Sequence, residues 1–271
     1  MAATSAVALL MAATWVAIYA TSASRGVREG FVTVVANQYS EDVGWLERGI
    51  GEGGVDGVVV CTKPGSTHPQ DPACPRARRN RGREASAYLA YIVANYDRLP
   101  KRVAFLHGHE DAWHQSFPGG ILAAIRSADP AHGYVSLNLR SHPGVGVYDL
   151  EDRAALGPHT AAGFDALRRR WGTHFQEHLG PLPRRFFHDC RGQFVVSRER
   201  IHRHPRRAYE RWLALFDDGD DDDDEYALAL GFEFVWHYIF GEPAVCEDGA
   251  GGRCDAACYL ATRFLTRANG T

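Results

Sequence analysis

The densest run of groups able to do chemistry is His107-Gly-His109-Glu110-Asp111-Ala-Trp-His114, with three imidazoles and two carboxylates in one short stretch. Imidazole nitrogens and carboxylate oxygens are donors that zinc, manganese and magnesium accept, so His107, His109 and Asp111 are candidate metal ligands. The plainer alternative is a satisfied core histidine at 107 followed by a polar loop. A second candidate is Asn80-Arg-Gly-Arg-Glu84, at the entry of the best-patterned helix in the chain. There Gly82 permits close backbone approach, and Arg81 and Arg83 offer bidentate donors. The free N–H groups and positive dipole end of a helix start favour an anion. A diphosphate suits that set, with Asn80, Gly82, Arg83 and Glu84 as its contacts; Glu84 alternatively acts only as a favourable first-turn charge. A third candidate is Glu233, which shares a helix face with His237 at i+4. Against it stands a packing role for both beside Trp236 and Phe240.

The elements that must position these groups follow from apolar periodicity. Phe31–Ala36, Gly57–Cys61 and Val103–Leu106 are short β-branched or apolar runs, and read as buried strands. Separated by helical segments, they are expected to be parallel neighbours with right-handed crossovers. Glu41–Leu46 reads as a short helix opened by Ser40. The segment from Thr62 to Arg79 holds Pro64, Pro69, Pro72 and Pro75 and must be irregular. From Gly82 onward, Ala85, Tyr88, Leu89, Ile92, Val93 and Tyr96 recur at helical spacing, and Leu99-Pro100 closes the helix. His107–His114 is then the loop at the end of the third strand. Gly119–Ser127 reads as a helix and Tyr134–Leu139 as a fourth strand. In the second half, helices are expected over Gly163–His178, Arg198–His202 (capped by Ser197), Arg206–Phe216 and Tyr226–Phe240, with Gly192–Val196 a strand. The acidic run Asp217–Glu225 reads as a solvated loop. The pattern implies an α/β fold, a central and mostly parallel sheet with helices on both faces, whose ligands lie beyond the carboxyl ends of the strands.

Composition bounds the function. Thirty Lys+Arg against 33 Asp+Glu give a net charge of −3, without the positive excess that coating nucleic acid requires. Ala2–Ala23 carries no charged side chain, so residues 1–24 read as a signal peptide or signal anchor, with Ala20-Thr-Ser-Ala23 resembling a cleavage site. This directs the chain to the secretory pathway and limits membrane contact to the N-terminal segment. Residues 30–241 form one domain, and 242–271 a Cys-rich tail. Of the six cysteines, Cys61 with Cys74 is the preferred bridge, along with one among Cys246, Cys254 and Cys258, because both close loops with little core of their own.

Several segments resemble a known family. They are Tyr39-Ser-Glu-Asp-Val-Gly-Trp-Leu46, Asn80-Arg-Gly-Arg-Glu-Ala-Ser-Ala-Tyr-Leu-Ala-Tyr-Ile92, Asn95-Tyr-Asp-Arg-Leu-Pro100, Phe105-Leu-His-Gly-His109, Gln193-Phe-Val-Val-Ser-Arg-Glu-Arg-Ile201 and Phe234-Val-Trp-His-Tyr-Ile-Phe-Gly241. In that order, from Phe31 to Gly241, they resemble the family designated domain of unknown function 3431 (DUF3431), which implies no activity. More remotely, the same segments are similar to glycosyltransferases of the GT-A fold. That resemblance implies a nucleotide-sugar donor, a glycan or other hydroxyl acceptor, and Mn²⁺ or Mg²⁺ held by an Asp-x-Asp pair. Here His107-Gly-His109-Glu-Asp111 stands in place of the pair. Asp111 and Glu233 are then the candidate catalytic carboxylates, with Glu233 deprotonating the acceptor. His107, His109 and Asp111 also match the first three ligands of the His-x-His-x-Asp-His motif of metallo-β-lactamase-like hydrolases, with Ala112 where the last His belongs. A metal-dependent hydrolase is therefore one alternative, and a non-catalytic carbohydrate-binding or scaffold protein is another.

Overall fold

Three strands, Val32–Gln38 (β1), Val55–Thr62 (β2) and Arg102–His107 (β3), form from the three apolar runs and extend each at its carboxyl end; Phe31 lies outside the described residues. In the computed structural model, which describes residues 32–50, 55–75, 79–111, 117, 119–138, 147–187, 191–217 and 222–245, β1 lies between β2 and β3 and is parallel to both. Val35 pairs with Val59 on one side and Phe105 on the other. Two more strands complete the sheet, Tyr134–Ser136 (β4) and Phe194–Ser197 (β7), in the order β2-β1-β3-β7-β4. β7 is antiparallel to both β3 and β4, so it alone runs against the rest. A separate antiparallel pair, Val147–Asp149 (β5) and Arg185–Phe187 (β6), has no counterpart in the sequence reading. Each is only three residues long, too short for a period-two pattern to register.

Alternation along β1 builds two cores, one on each face of the sheet. Val32, Val34 and Ala36, with Ala104 and Leu106, face Trp45 and Leu46 of helix α1 (Gly44–Gly49). The same core takes in Ile121, Ala124 and Ile125 of α3 (Gly120–Ser127). On the other face, Val35, Phe105 and Phe194 meet a far more aromatic layer. It comprises Tyr88 and Ile92 of α2 (Arg83–Asn95), Phe164 of α4 (Pro158–Arg170), Trp212 of α7 (Arg206–Ala214) and Trp236 of α8 (Asp222–Ile239). Between α4 and α8 come a π-helical turn, Trp171–Phe175, and two short helices, α5 (Gln176–Leu179) and α6 (Arg198–Ile201). Ser197 caps α6 by accepting from the Arg200 N–H at 3.3 Å, as the sequence suggests.

Four local expectations are corrected. The first helix begins at Gly44, not at residue 41, because Glu41 accepts the N–H groups of Tyr39 and Ser40, while Asp42 accepts that of Gly44. Ser40 therefore does not open the helix. Helix α2 is not amphipathic but buried almost all round, with the sheet on one side and α7 and α8 on the other. Helix α4 starts five residues before Gly163, at Pro158, which suits the first helical turn. The acidic run is no simple solvated loop, since its end is the first turn of α8 and Asp224 pairs with Arg169 and Arg170. Carboxylates at a helix start also complement its dipole.

The Cys61–Cys74 disulfide is formed, with Cα atoms 5.3 Å apart. Cys190, the tail cysteines, His114 and the leader 1–24 lie outside the described residues. Among the described residues, no helix is long and apolar enough to cross a membrane.

Candidate functional site

The carboxyl ends of β1, β2 and β3 share one edge of the sheet, and α2 starts over that edge. Glu84, in the first turn of α2, points inward with a side chain only 5% exposed. Its Oε1 lies 3.9 Å from Nε2 of His107, the last residue of β3. Gly192, just before β7, packs against both. A side chain there would set its Cβ 3.1 Å from Glu84 Oε1, 3.2 Å from His107 Nε2 and 3.6 Å from Glu233 Cγ. Tyr88, one turn beyond Glu84, donates its hydroxyl to the Gly192 carbonyl at 3.0 Å and holds this backbone in place. The His107 N–H is accepted by Gln193 Oε1 at 3.2 Å. Residues 84, 107, 192 and 233 thus meet at one point, although the chain between them includes most of the domain.

Electrostatics at this point are strongly perturbed. Burial pushes the Glu233 carboxyl up to about 8, and Glu84 adds to the shift through its charge and a hydrogen bond, against the pull of Arg83 and Arg191. Two carboxyl groups so close cannot both ionise readily, and one holds a proton near neutral pH. Burial also lowers the His107 imidazole, outweighing the nearby Glu84, so it is neutral at that pH. Arg83 is half-exposed at the rim, lies over the Tyr226 ring at 5.2 Å and donates to its hydroxyl at 3.2 Å. Arg191 sits over the Phe234 ring at 5.5 Å and donates to the Tyr148 hydroxyl at 3.4 Å. The arrangement is a proton-holding carboxyl pair, Glu84 buried and Glu233 half-buried, beside a neutral imidazole and flanked by two guanidinium groups. It can exchange a proton with a ligand and attract an anionic one.

The remaining candidates separate. Gly82 has the left-handed backbone that glycine tolerates, with φ of 73°. The expected diphosphate cradle there has other occupants, because Glu225 accepts the Gly82 N–H. A Cβ at 82 would also strike Ser86 at 2.6 Å and Phe216 at 2.8 Å. Asn80 is exposed at the entry to α2. His109 turns to Glu41 at 3.6 Å, Glu110 to Arg48 at 3.0 Å, and Asp111 is exposed. Among the described residues, no three side chains of His, Cys, Asp or Glu are grouped to hold a metal ion. The ligand set His107, His109 and Asp111 therefore does not assemble, because the strand end buries the first while the loop carries the others outward. His237 does not partner Glu233. It donates to the Ala244 carbonyl at 3.3 Å and packs on Phe186 and Phe187.

Sequence reasoning missed Lys63, Gly192, Arg191 and Glu225. Lys63 did leave a signal: the chain has 28 arginines and only two lysines, at 63 and 101.

A family model described as "Protein of unknown function (DUF3431)" matches residues 33–255. No curated protein matches the chain. A solved structure of glucosyl-3-phosphoglycerate synthase from Mycobacterium tuberculosis, in complex with Mg2+ and uridine diphosphate, is similar at 18% identity with a TM-score of 0.31. The match covers 68% of this chain and 60% of that one, so the chain spans less than two thirds of that enzyme's length.

Proposed function

The chain belongs to the DUF3431 family of proteins of unknown function, and we propose that it transfers a glycosyl group from a nucleotide sugar to a hydroxyl acceptor. The observation that supports this reading is the meeting of Glu84, His107 and Glu233 around Gly192 at the carboxyl ends of the parallel strands of the sheet. Ligands of open α/β folds are bound beyond that edge. In the reaction, an acceptor oxygen attacks the anomeric carbon, its proton passes to the Glu233 carboxylate, and the bond to the leaving phosphate breaks with its electron pair departing on the nucleoside diphosphate. Arg83, half-exposed at the rim, offers donors to that diphosphate, with Asn80 beside it. Glu84 and His107 orient Glu233 and tune its proton.

The described residues do not fit a resident Mn²⁺ or Mg²⁺ at His107, His109 and Asp111, and no step passes through one. The metal-hydrolase alternative loses its ligand set for the same reason. The Cys61–Cys74 disulfide supports an oxidising, secretory location.

As a base, Glu233 must be ionised. Its raised value therefore means that turnover rises with pH and levels off above about 8. Calorimetry with a panel of nucleoside diphosphate sugars, with and without Mn²⁺, tests the reading. Binding of at least one member, followed by sugar transfer, is expected; failure of every member under both conditions would remove its basis.

A further inference from the structure

We propose that Lys63 is a positioning residue of this site, its buried ammonium holding the start of α2 from which Glu84 projects toward Glu233. It follows β2 at the same sheet edge and is 2% exposed. Its Nζ donates to the Arg81 carbonyl at 2.6 Å and to the Ser86 hydroxyl, and Ser86 in turn donates to the same carbonyl at 2.6 Å. Lys63 thus ties the residue before Gly82 to the first turn of α2, the stretch where Gly82 and Arg83 both have positive φ, 73° and 44°. Glu84 projects from that stretch. A non-glycine residue in the left-handed region needs surrounding structure to hold it, and Lys63, just after β2, and Glu225 from α8 supply that hold from two sides.

The charge matters as well as the hydrogen bonds. The groups facing Lys63 electrostatically are Glu84 on α2 and Glu225 on α8. Those facing Glu233 are Glu84, Arg83 and Arg191. Burial pushes Lys63 down to about 8, with Glu84 and Glu225 opposing the fall. A buried ammonium with no carboxylate nearby would fall further. In a chain that otherwise relies on arginine, a compact ammonium at 63 fits where a planar guanidinium would need more room.

The proposal builds on the transferase reading only in its consequence for turnover, so the test uses titration. In the full chain labelled with [13C]glutamate, the Glu233 carboxyl is followed by NMR against pH and assigned with Glu233→Gln. Lys63→Met removes the charge and nearly keeps the shape. Loss of Lys63 loosens the turn that carries Glu84 and removes the cation that favours its ionised form, and Glu84 is what adds to the effect of burial on Glu233; Lys63→Met is therefore expected to lower the Glu233 midpoint by about one pH unit. An unchanged or raised midpoint in a Lys63→Met protein that keeps its helical circular dichroism and its 61–74 disulfide overturns the proposal. Should that variant not fold, [13C]lysine labelling of Glu84→Gln decides. Only two lysine signals exist, Lys101 being assigned by Lys101→Arg, and the Lys63 midpoint must fall; a midpoint that stays at the wild-type position overturns the proposal equally. Binding of nucleotide sugars enters neither readout, so the two ideas fail separately.

Discussion

The start of α2 and the loop after β3 look alike as sequence, each a short polar run next to an apolar one, yet the fold treats them in opposite ways. Glu84 is buried and meets His107, Gly192 and Glu233, and the N–H of Gly82 is accepted by Glu225. His109, Glu110 and Asp111 leave the sheet edge and find surface partners or solvent. The difference shows that local density of titratable groups does not make a site. What perturbs a group is loss of water together with charges brought from elsewhere in the chain, and only the first region has both.

If that comparison holds, the largest effect belongs to Glu233→Gln. Turnover in a nucleotide-sugar transfer assay should fall on the order of 10²- to 10⁴-fold, with donor binding by calorimetry largely kept. The same variant has a stability signature that needs no substrate. Because the folded-state value of Glu233 is raised to about 8, its contribution to stability is present below the ordinary carboxyl range and is lost as pH climbs toward 8. Gln does not titrate. Glu233→Gln should therefore match wild type near pH 4 and become the more stable by a few kcal/mol at pH 8, since each tenfold change in proton affinity between the folded and unfolded states is worth about 1.4 kcal/mol. Parallel melting curves across that range would break the inward reading of this region.

Next in size is removal of the Cys61–Cys74 bridge, whose sulfurs lie under the Ala87 carbonyl of α2 at 3.9 and 3.8 Å. Chain entropy for a loop of 13 residues predicts a loss of about 3 kcal/mol on replacing both with Ser, read by urea unfolding. Gly192→Ala should cost less, about 1–2 kcal/mol, because its methyl meets Glu84 and His107 more tightly than ordinary contact allows. It should also shift the pH midpoint of turnover, since it presses on the proton-holding pair.

The smallest effect is expected in the outward loop. Asp111→Ala and His109→Ala should change stability by no more than about 0.5 kcal/mol. Loss of nucleotide-sugar binding in Asp111→Ala, with Glu233→Gln still binding, would reverse the comparison and return the site to the loop.

Much of the fold is legible in the sequence where a local pattern has one outcome. The runs at 31–36, 57–61 and 103–106 are short, apolar and bounded by breakers, and all three are parallel neighbours. Ala85, Tyr88, Leu89 and Ile92 mark α2, and Ser197 marks the cap of α6. The hairpin of β5 and β6 is not legible, because three residues carry no period. Nor is the start of α8 at Asp222, since acidic residues suit a helix start and a solvated loop equally well. Of the site, Glu84, His107 and Glu233 are readable as candidates. Lys63 and Gly192 are not, because each matters only through what stands opposite it.

By itself, the sequence determined the class of fold, the parallel pairing of its first strands and the helix over the site, because apolar periodicity and breakers act through neighbours within a turn or a strand. It also determined the 61–74 bridge, whose two cysteines bracket a proline-rich loop with little core of its own. The tertiary structure alone decided which polar groups became a site. Glu84 and Glu233 stand 149 residues apart in the chain, and neither is unusual until α8 brings one against the other and the aromatic layer shuts out water. Desolvation and opposing charge depend on distances in space, and spacing along the chain does not encode them.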